Sequence, residues 1–64
     1  MISKTPREIR LAANLSITEA AALADVAPGT WRVYERDPEA VSLPKRRACD
    51  AVTDRLAMRL REAA

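Results

Sequence analysis

The chain has 64 residues and a mass of 7.1 kDa, and 48% of its residues are apolar, 31% charged and 3% aromatic. Because one hydrophobic core usually needs on the order of 50 residues, we expect a single domain spanning residues 1–64. The apolar content is ordinary and excludes a disordered or fibrous chain. No apolar run approaches the ~20 residues of a membrane span, and the N-terminus lacks the apolar stretch of a signal peptide. We therefore expect a soluble, cytoplasmic protein with no membrane contact.

Two further features of the composition argue against an enzyme. The sequence has no histidine, the commonest general base and metal ligand. Cys49 is its single cysteine, so it can form neither an internal disulfide nor a zinc site of thiolates and imidazoles. A chain this short also has little room for a walled pocket. We expect no catalytic residues, no metal and no cofactor.

The charge distribution indicates a localised anionic partner. The formal net charge is only +2, but basic residues cluster at Arg32 and Arg36 and again at Lys45-Arg46-Arg47. Two compact clusters suit a local anionic surface better than a uniformly basic tail would. The competing interpretation is that both clusters are simply solvated faces.

The first predicted helix begins at Thr5-Pro6, where Glu8 has the spacing of a capping box with Thr5. It runs to about Ala13, and Asn14 is suited to a left-handed cap. The second helix begins at Ser16, again with a glutamate three residues later, and its alanine-rich body allows a close helix contact. Asp25 ends it.

The third predicted helix follows Pro28-Gly29 and is closed by Pro38. A longer C-terminal helix, about residues 43–62, begins at Ser42-Leu43-Pro44. Its apolar residues recur at steps of three, four and four, as expected for one helical stripe. The members of this stripe are Cys49, Val52, Leu56 and Leu60. The fold class is therefore all-α, with four helices and no strand.

Residues 17–36 fit the packing requirements of two short helices joined by a tight turn. Ala21 is small enough for the next helix to cross it, and Asp25, four residues later, tolerates positive φ. Val26 is placed to fill the angle of the turn. Trp31 and Tyr34 anchor the inner side of the third helix. The residues left facing outward are Arg32, Val33 and Arg36.

With these features the sequence resembles the Cro/phage-repressor type of helix-turn-helix, also called the xenobiotic-response-element-like family. The resemblance runs without a gap from about Ile9 to Arg36. The positions that carry it are Leu15-Ser16, Ala21, Ala24, Val26, Thr30 and Glu35-Arg36. It implies a lambda-repressor-like fold whose third helix enters the major groove of double-stranded DNA. It also implies a partly buried salt bridge between Arg10 and Glu35.

The sequence departs from that family at three places. Asp25 stands where glycine is usual, and Ile17 stands where glutamine usually contacts DNA. The third helix begins with Pro28-Gly29, and neither residue offers a side-chain hydrogen bond to a base; Pro28 also lacks a backbone N–H. The resemblance therefore predicts the fold more firmly than it predicts which bases are read.

Arg32 and Arg36 are the strongest candidates for DNA contact, because an arginine can bond guanine bidentately. The alternative is that they pair with Glu35, Asp37 or Glu39 on the surface. Thr30 and Val33 are placed to touch a phosphate and a thymine methyl group. The other candidate DNA-binding residues lie at the starts of helices two, three and four. They are Ser16, Ile17, Pro28, Gly29, Lys45 and Arg46.

The end of the last helix extends past what so small a core can cover. Leu56, Met58 and Leu60 are the candidate interface residues of a homodimer or a protein complex. A symmetric dimer would present two third helices about one DNA turn apart. The alternative is a solvated helix end that frays.

Two functions follow from these residues. The first is a sequence-specific DNA-binding transcriptional regulator, a small repressor acting as a homodimer. The second is a protein-interaction module, like an antitoxin or a phage adaptor, that keeps the fold with weak or no base readout and docks its partner through the last helix.

Overall fold

A computed structural model describes residues 4–63 of the chain. Within these residues the elements are four α-helices and one 3-10 turn, with no strand, which confirms the all-α prediction. The helices are α1 (Pro6–Ala12), α2 (Ile17–Ala24), α3 (Pro28–Arg36) and α4 (Leu43–Ala63). The 3-10 turn, Pro38–Ala40, lies between α3 and α4 and was not predicted.

Both predicted capping boxes are present. The backbone N–H of Glu8 donates to Thr5 Oγ1 at 3.2 Å, and the N–H of Thr5 donates back to Glu8 Oε1 at 3.0 Å. Ser16 and Glu19 make the same reciprocal pair, at 3.0 and 2.8 Å. These bonds satisfy backbone donors that a helix start leaves free, so α1 and α2 begin where the sequence predicts.

The two predicted left-handed residues also end α1 and α2. Asn14 has φ 62° and Asp25 has φ 56°. Their short polar side chains tolerate this conformation better than most. The N–H of Val26, just past Asp25, donates to the carbonyl of Ala21 at 3.0 Å, which closes the end of α2.

The core lies where α1, α2 and α3 pack together with α4. Trp31, Cys49, Ala20 and Ala21 are each 0% exposed and Tyr34 is 1% exposed. The Trp31 and Tyr34 rings lie 5.1 Å apart and are tilted by 60°. The alanines keep α2 narrow, and this leaves room for both aromatic rings in a small domain.

The apolar stripe of α4 is confirmed over most of its length. Cys49, Val52 and Leu56 are buried, and Leu60 is half-buried against the same core.

No helix within residues 4–63 combines the length and apolar character required to cross a membrane.

Candidate nucleic-acid interface

The turn between α2 and α3 occupies residues 25–27. Val26 is partly buried against the core, as predicted, and Ala21 on the preceding helix is fully buried. α3 then begins at Pro28 without a side-chain cap on Ala27. A three-residue turn therefore separates α2 from α3, and its inner side packs against the core through Val26.

Glu35 is the polar anchor of α3. Its Oε2 accepts from Trp31 Nε1 at 2.6 Å and from Arg10 Nε at 2.6 Å, while its Oε1 accepts from Arg10 Nη2 at 3.3 Å. The Arg10 and Glu35 side chains are each 8% exposed. Arg10 Nη1 also donates to the carbonyl of Leu15 at 2.9 Å. The salt bridge implied by the resemblance is present, and it joins α1, the α1–α2 loop and α3.

Tyr34 supplies a second polar contact, to α4. Its hydroxyl donates to Asp50 Oδ1 at 2.5 Å and lies 3.3 Å from Thr53 Oγ1. Burial, with the bond to Asp50, raises the pKa of Tyr34 well above its ordinary value. The inner side of α3 is thus fixed by packing and by hydrogen bonds.

Burial also raises the pKa of the Cys49 thiol on α4, as expected of a core cysteine.

The outer side of α3 carries Arg32 and Arg36. Both are exposed, and within residues 4–63 neither forms an ion pair. The predicted competitor Glu35 is occupied by Arg10, and Glu39 lies 3.9 Å from Arg46 instead. Two guanidinium groups four residues apart on a helix share one face, so α3 presents them together to solvent.

Gly29 lies at the start of the same helix, and nothing in residues 4–63 explains it. It is the single glycine of the sequence, and it does not have positive φ. A methyl group added there would meet no atom of the described residues within 4 Å. Neither backbone conformation nor internal packing therefore requires glycine at this position. Glycine is also used where another molecule approaches a backbone closely.

An open depression of about 320 Å³ lies beside Gly29. α3 forms one wall, and the segment from the 3-10 turn to the start of α4 forms the other. Its lining residues are Gly29, Thr30, Val33, Ala40, Val41, Ser42 and Lys45. The depression therefore brings together candidate DNA-binding residues of α3 and α4. They are Gly29, Thr30, Val33 and Lys45.

Four predicted site residues are placed differently from the sequence interpretation. Ile17 and Val33 are partly buried against the core, so neither projects freely outward. Arg46 Nη2 donates to the carbonyl of Val41 at 3.4 Å, and its side chain is only 26% exposed. Arg46 therefore supports the loop before α4. Leu56 is 8% exposed and belongs to the core of its own chain.

The three candidate interface residues do not share one exposed surface. Met58 is 53% exposed, whereas Leu56 is buried and Leu60 is half-buried. At about 100° per residue, Met58 lies on the side of α4 away from that stripe. Of the three candidate interface residues, Met58 alone is exposed.

Of the remaining candidates, Pro28, Ser16 and Lys45 are exposed and Thr30 is half-buried. Ser16 Oγ accepts the Glu19 N–H and so caps α2.

The sequence interpretation missed Val41, Asp50 and Thr53. Val41 is 6% exposed and anchors the loop before α4 in the core. Thr53 continues the helical spacing of the Cys49 stripe, so its burial could have been found from the pattern. The bond from Tyr34 to Asp50 spans 16 residues, and no local pattern indicates it.

No family model, curated protein or solved structure matches this sequence. The function is therefore argued from the geometry of the described residues.

Proposed function

We propose that this chain is a sequence-specific, double-stranded DNA-binding transcriptional regulator, with α3 as the helix that enters the major groove. The observation that carries the proposal is the exposed, unpaired pair Arg32 and Arg36 on a helix whose inner side is rigidly held. A helix that is held in place keeps its guanidinium groups at fixed positions. Side chains need fixed positions to form hydrogen bonds with particular base edges.

The surroundings of α3 support backbone contact. Lys45 is exposed and lines the depression together with Thr30, which offers a hydroxyl donor. Lys45 also lies in the first turn of α4, where a cation is unfavourable beside the helix dipole. A DNA phosphate near this side chain offsets that unfavourable placement. Lys45 therefore holds the duplex without reading its sequence.

Gly29 supports a close approach by the partner. Because a Cβ atom at this position would meet no atom of residues 4–63 within 4 Å, the missing side chain matters to a partner surface that comes near α3 and not to the packing of the described fold. In this proposal the start of α3 lies nearest to the DNA, and Gly29 permits contact that a Cβ atom would prevent.

The regulator acts as a homodimer on a short operator, and it represses by occluding polymerase or by contacting another protein. Two copies would present two α3 helices to half-sites about one DNA turn apart.

A protein-interaction module is the second candidate. The observation that favours it is the weak readout capacity near the start of α3. Pro28 and Gly29 carry no side-chain donor, and Ile17 packs on the core. In this alternative the exposed end of α4 binds a protein, and affinity for DNA stays at background.

Selection of bound duplexes from a random pool at physiological salt separates the two candidates. DNA binding predicts an enriched site, and its affinity falls with salt at a log–log slope of roughly −0.9 per neutralised phosphate. The protein-interaction module predicts no enriched site.

Three variants then distinguish contacts to bases from contacts to phosphates. Arg32→Ala and Arg36→Ala each relax the preference for the selected site by about 1–3 kcal/mol. Lys45→Ala weakens selected and unrelated duplexes alike and reduces the salt slope by about one. Arg59→Ala is the matched control, because it removes an exposed arginine from the second half of α4. Equal effects of Arg32→Ala and Arg59→Ala would contradict the assigned role of α3.

A further inference from the structure

The second half of α4 has an exposed side that the core does not use. Met58 is 53% exposed, and within the described residues it is the largest apolar side chain on this side of the helix. Ala57 beside it is partly exposed. Buried Val52 and Leu56 belong to the core, which lies on the other side of the helix. Residues 4–63 leave about half of Met58 open to solvent.

Two opposite charges flank this apolar centre. Asp54, Ala57, Met58 and Arg61 follow one another at steps of three, one and three, which is the spacing of a single helical face. Asp54 and Arg61 are exposed, and neither forms an ion pair within residues 4–63. Residues three and four positions from Asp54 are Ala51, Asp50, Ala57 and Met58, so α4 itself supplies it no cation. The face is therefore acidic at one end, apolar in the middle and basic at the other.

We propose that this face, Asp54-Ala57-Met58-Arg61, binds the same face of a second copy of the chain. Two α4 helices lie antiparallel about a two-fold axis that passes between Ala57 and Met58. Asp54 then meets Arg61 of the second copy, Arg61 meets its Asp54, and each Met58 packs over the other Ala57. A two-fold axis requires a patch that is complementary to itself, and this order of charges provides it.

The neighbouring face of α4 does not fit a second copy as well. Arg55, Met58, Arg59 and Glu62 have the same spacing, but an antiparallel pair centred there packs each Arg59 over the Met58 of the other copy. That contact buries a cation without a counter-charge at its centre, where the face of Asp54 and Arg61 has an alanine, and an unpaired buried charge disfavours a contact. Arg59 and Glu62, three residues apart, can also pair within their own helix. The charges therefore select the face that contains Asp54 and Arg61.

The rest of the molecule leaves room for this contact. Helices α1 to α3 pack on the core side of α4, away from Met58. With Asp54 opposite Arg61, the two helices overlap over residues 52–63, about 18 Å of helix. Such an overlap buries less than the roughly 1,200 Å² of a standard stable interface. We therefore expect a weak dimer, measurable by sedimentation at chain concentrations on the order of 100 µM.

Charge reversal tests the proposal with the full chain. Asp54→Arg places two arginines at each flank of the axis, and Arg61→Asp places two aspartates there. Each single variant weakens self-association by about tenfold or more. An equimolar mixture of the two variants restores opposite pairs at both flanks, so a heterodimer forms with affinity near that of the wild type. The double variant Asp54→Arg/Arg61→Asp restores the homodimer in the same way.

Arg55→Asp is the matched control, since it reverses an exposed charge on the neighbouring face and leaves self-association within about threefold of wild type. Dimerisation of the mixture also shows that both single variants fold. A wild-type chain that stays monomeric at these concentrations overturns the proposal. So does a dimer that both single reversals leave unchanged, because another face then joins the copies. Both readouts are made without DNA, so they are independent of the function proposed for α3.

Discussion

The two sides of α3 differ in how completely their polar groups are used. On the inner side, Trp31 and Tyr34 are buried and each donates a hydrogen bond, while Glu35 accepts bonds from two residues. On the outer side, Arg32 and Arg36 are exposed and have no ion-pair partner within residues 4–63. The comparison separates residues that hold the fold from residues left free for a partner. Substitutions on the inner side should change stability, and those on the outer side should change binding.

The largest effect is expected from Glu35→Ala. The substitution leaves the buried guanidinium of Arg10 without its counter-charge and the Trp31 indole without its acceptor. Removing one partner of a buried pair costs about 3–5 kcal/mol, which is comparable to the whole stability of so small a domain. Circular dichroism should show a chain that is largely unfolded without denaturant. Glu39→Ala is the control, because that side chain is 84% exposed and its loss should cost less than about 0.5 kcal/mol. Equal losses in the two variants would contradict the role of Glu35.

A smaller loss is expected from Tyr34→Phe. The variant keeps the aromatic packing but removes the hydroxyl that bonds Asp50 and Thr53. Because Thr53 is buried, its hydroxyl loses a partner that water cannot readily replace, at a cost of about 1–2 kcal/mol. Urea unfolding measures this loss. Asp50→Asn keeps an acceptor for the tyrosine and should cost less, so a larger loss in Asp50→Asn would show that the bond is misassigned.

In Gly29→Ala, the stability of the chain and its affinity for DNA should change in opposite directions. The added methyl group meets no atom of residues 4–63 within 4 Å and stiffens the unfolded state, so stability should rise by about 0.5 kcal/mol. If the start of α3 lies against DNA, the same methyl group should weaken binding to the selected site. Thermal unfolding and a titration with duplex measure the two effects. In Ala51→Gly, on the exposed side of α4, stability should fall while binding stays the same. Unchanged DNA affinity in Gly29→Ala would remove the reason for this glycine.

The smallest effect is expected on the stability of the chain at acidic pH. Backbone and side-chain hydrogen bonds from Thr5 and Ser16 lower the pKa values of Glu8 and Glu19 below 4.5. Their contribution to stability is therefore fully present above pH 4.5 and is lost as the pH falls through the lowered values. Glu8→Gln/Glu19→Gln keeps both capping boxes without the charge, so its stability should fall less steeply in acid than that of the wild type. Unfolding curves across this range should separate the two chains, and parallel curves would contradict the assignment.

Local chemistry explains how far the sequence could predict this fold. Thr5, Ser16, Asn14 and Asp25 act on backbone groups within four residues, so their roles follow from spacing alone. The burial of Trp31 and Tyr34 also followed from helical periodicity.

Contacts between distant segments could not be predicted from spacing. The turn of Arg46 toward the carbonyl of Val41 depends on how the loop after α3 returns to the core. By length alone, the stripe on α4 exceeds what a small core needs, which predicts Leu56 at an interface, yet Leu56 is 8% exposed and belongs to the core that includes Ile9 of α1. The candidate site was predicted best where it depends on one helix face, at Arg32 and Arg36.

A single titration shows whether the outer side of α3 holds a DNA duplex. A fluorescent duplex carrying the selected site is titrated with the wild-type chain and with Arg32→Ala/Arg36→Ala at several salt concentrations. We expect a steep salt dependence for the wild type and, for an equally stable variant, a shallower slope with loss of preference over unrelated duplexes. Identical affinity, slope and preference in the two chains would contradict it, as would a wild-type chain that binds no duplex.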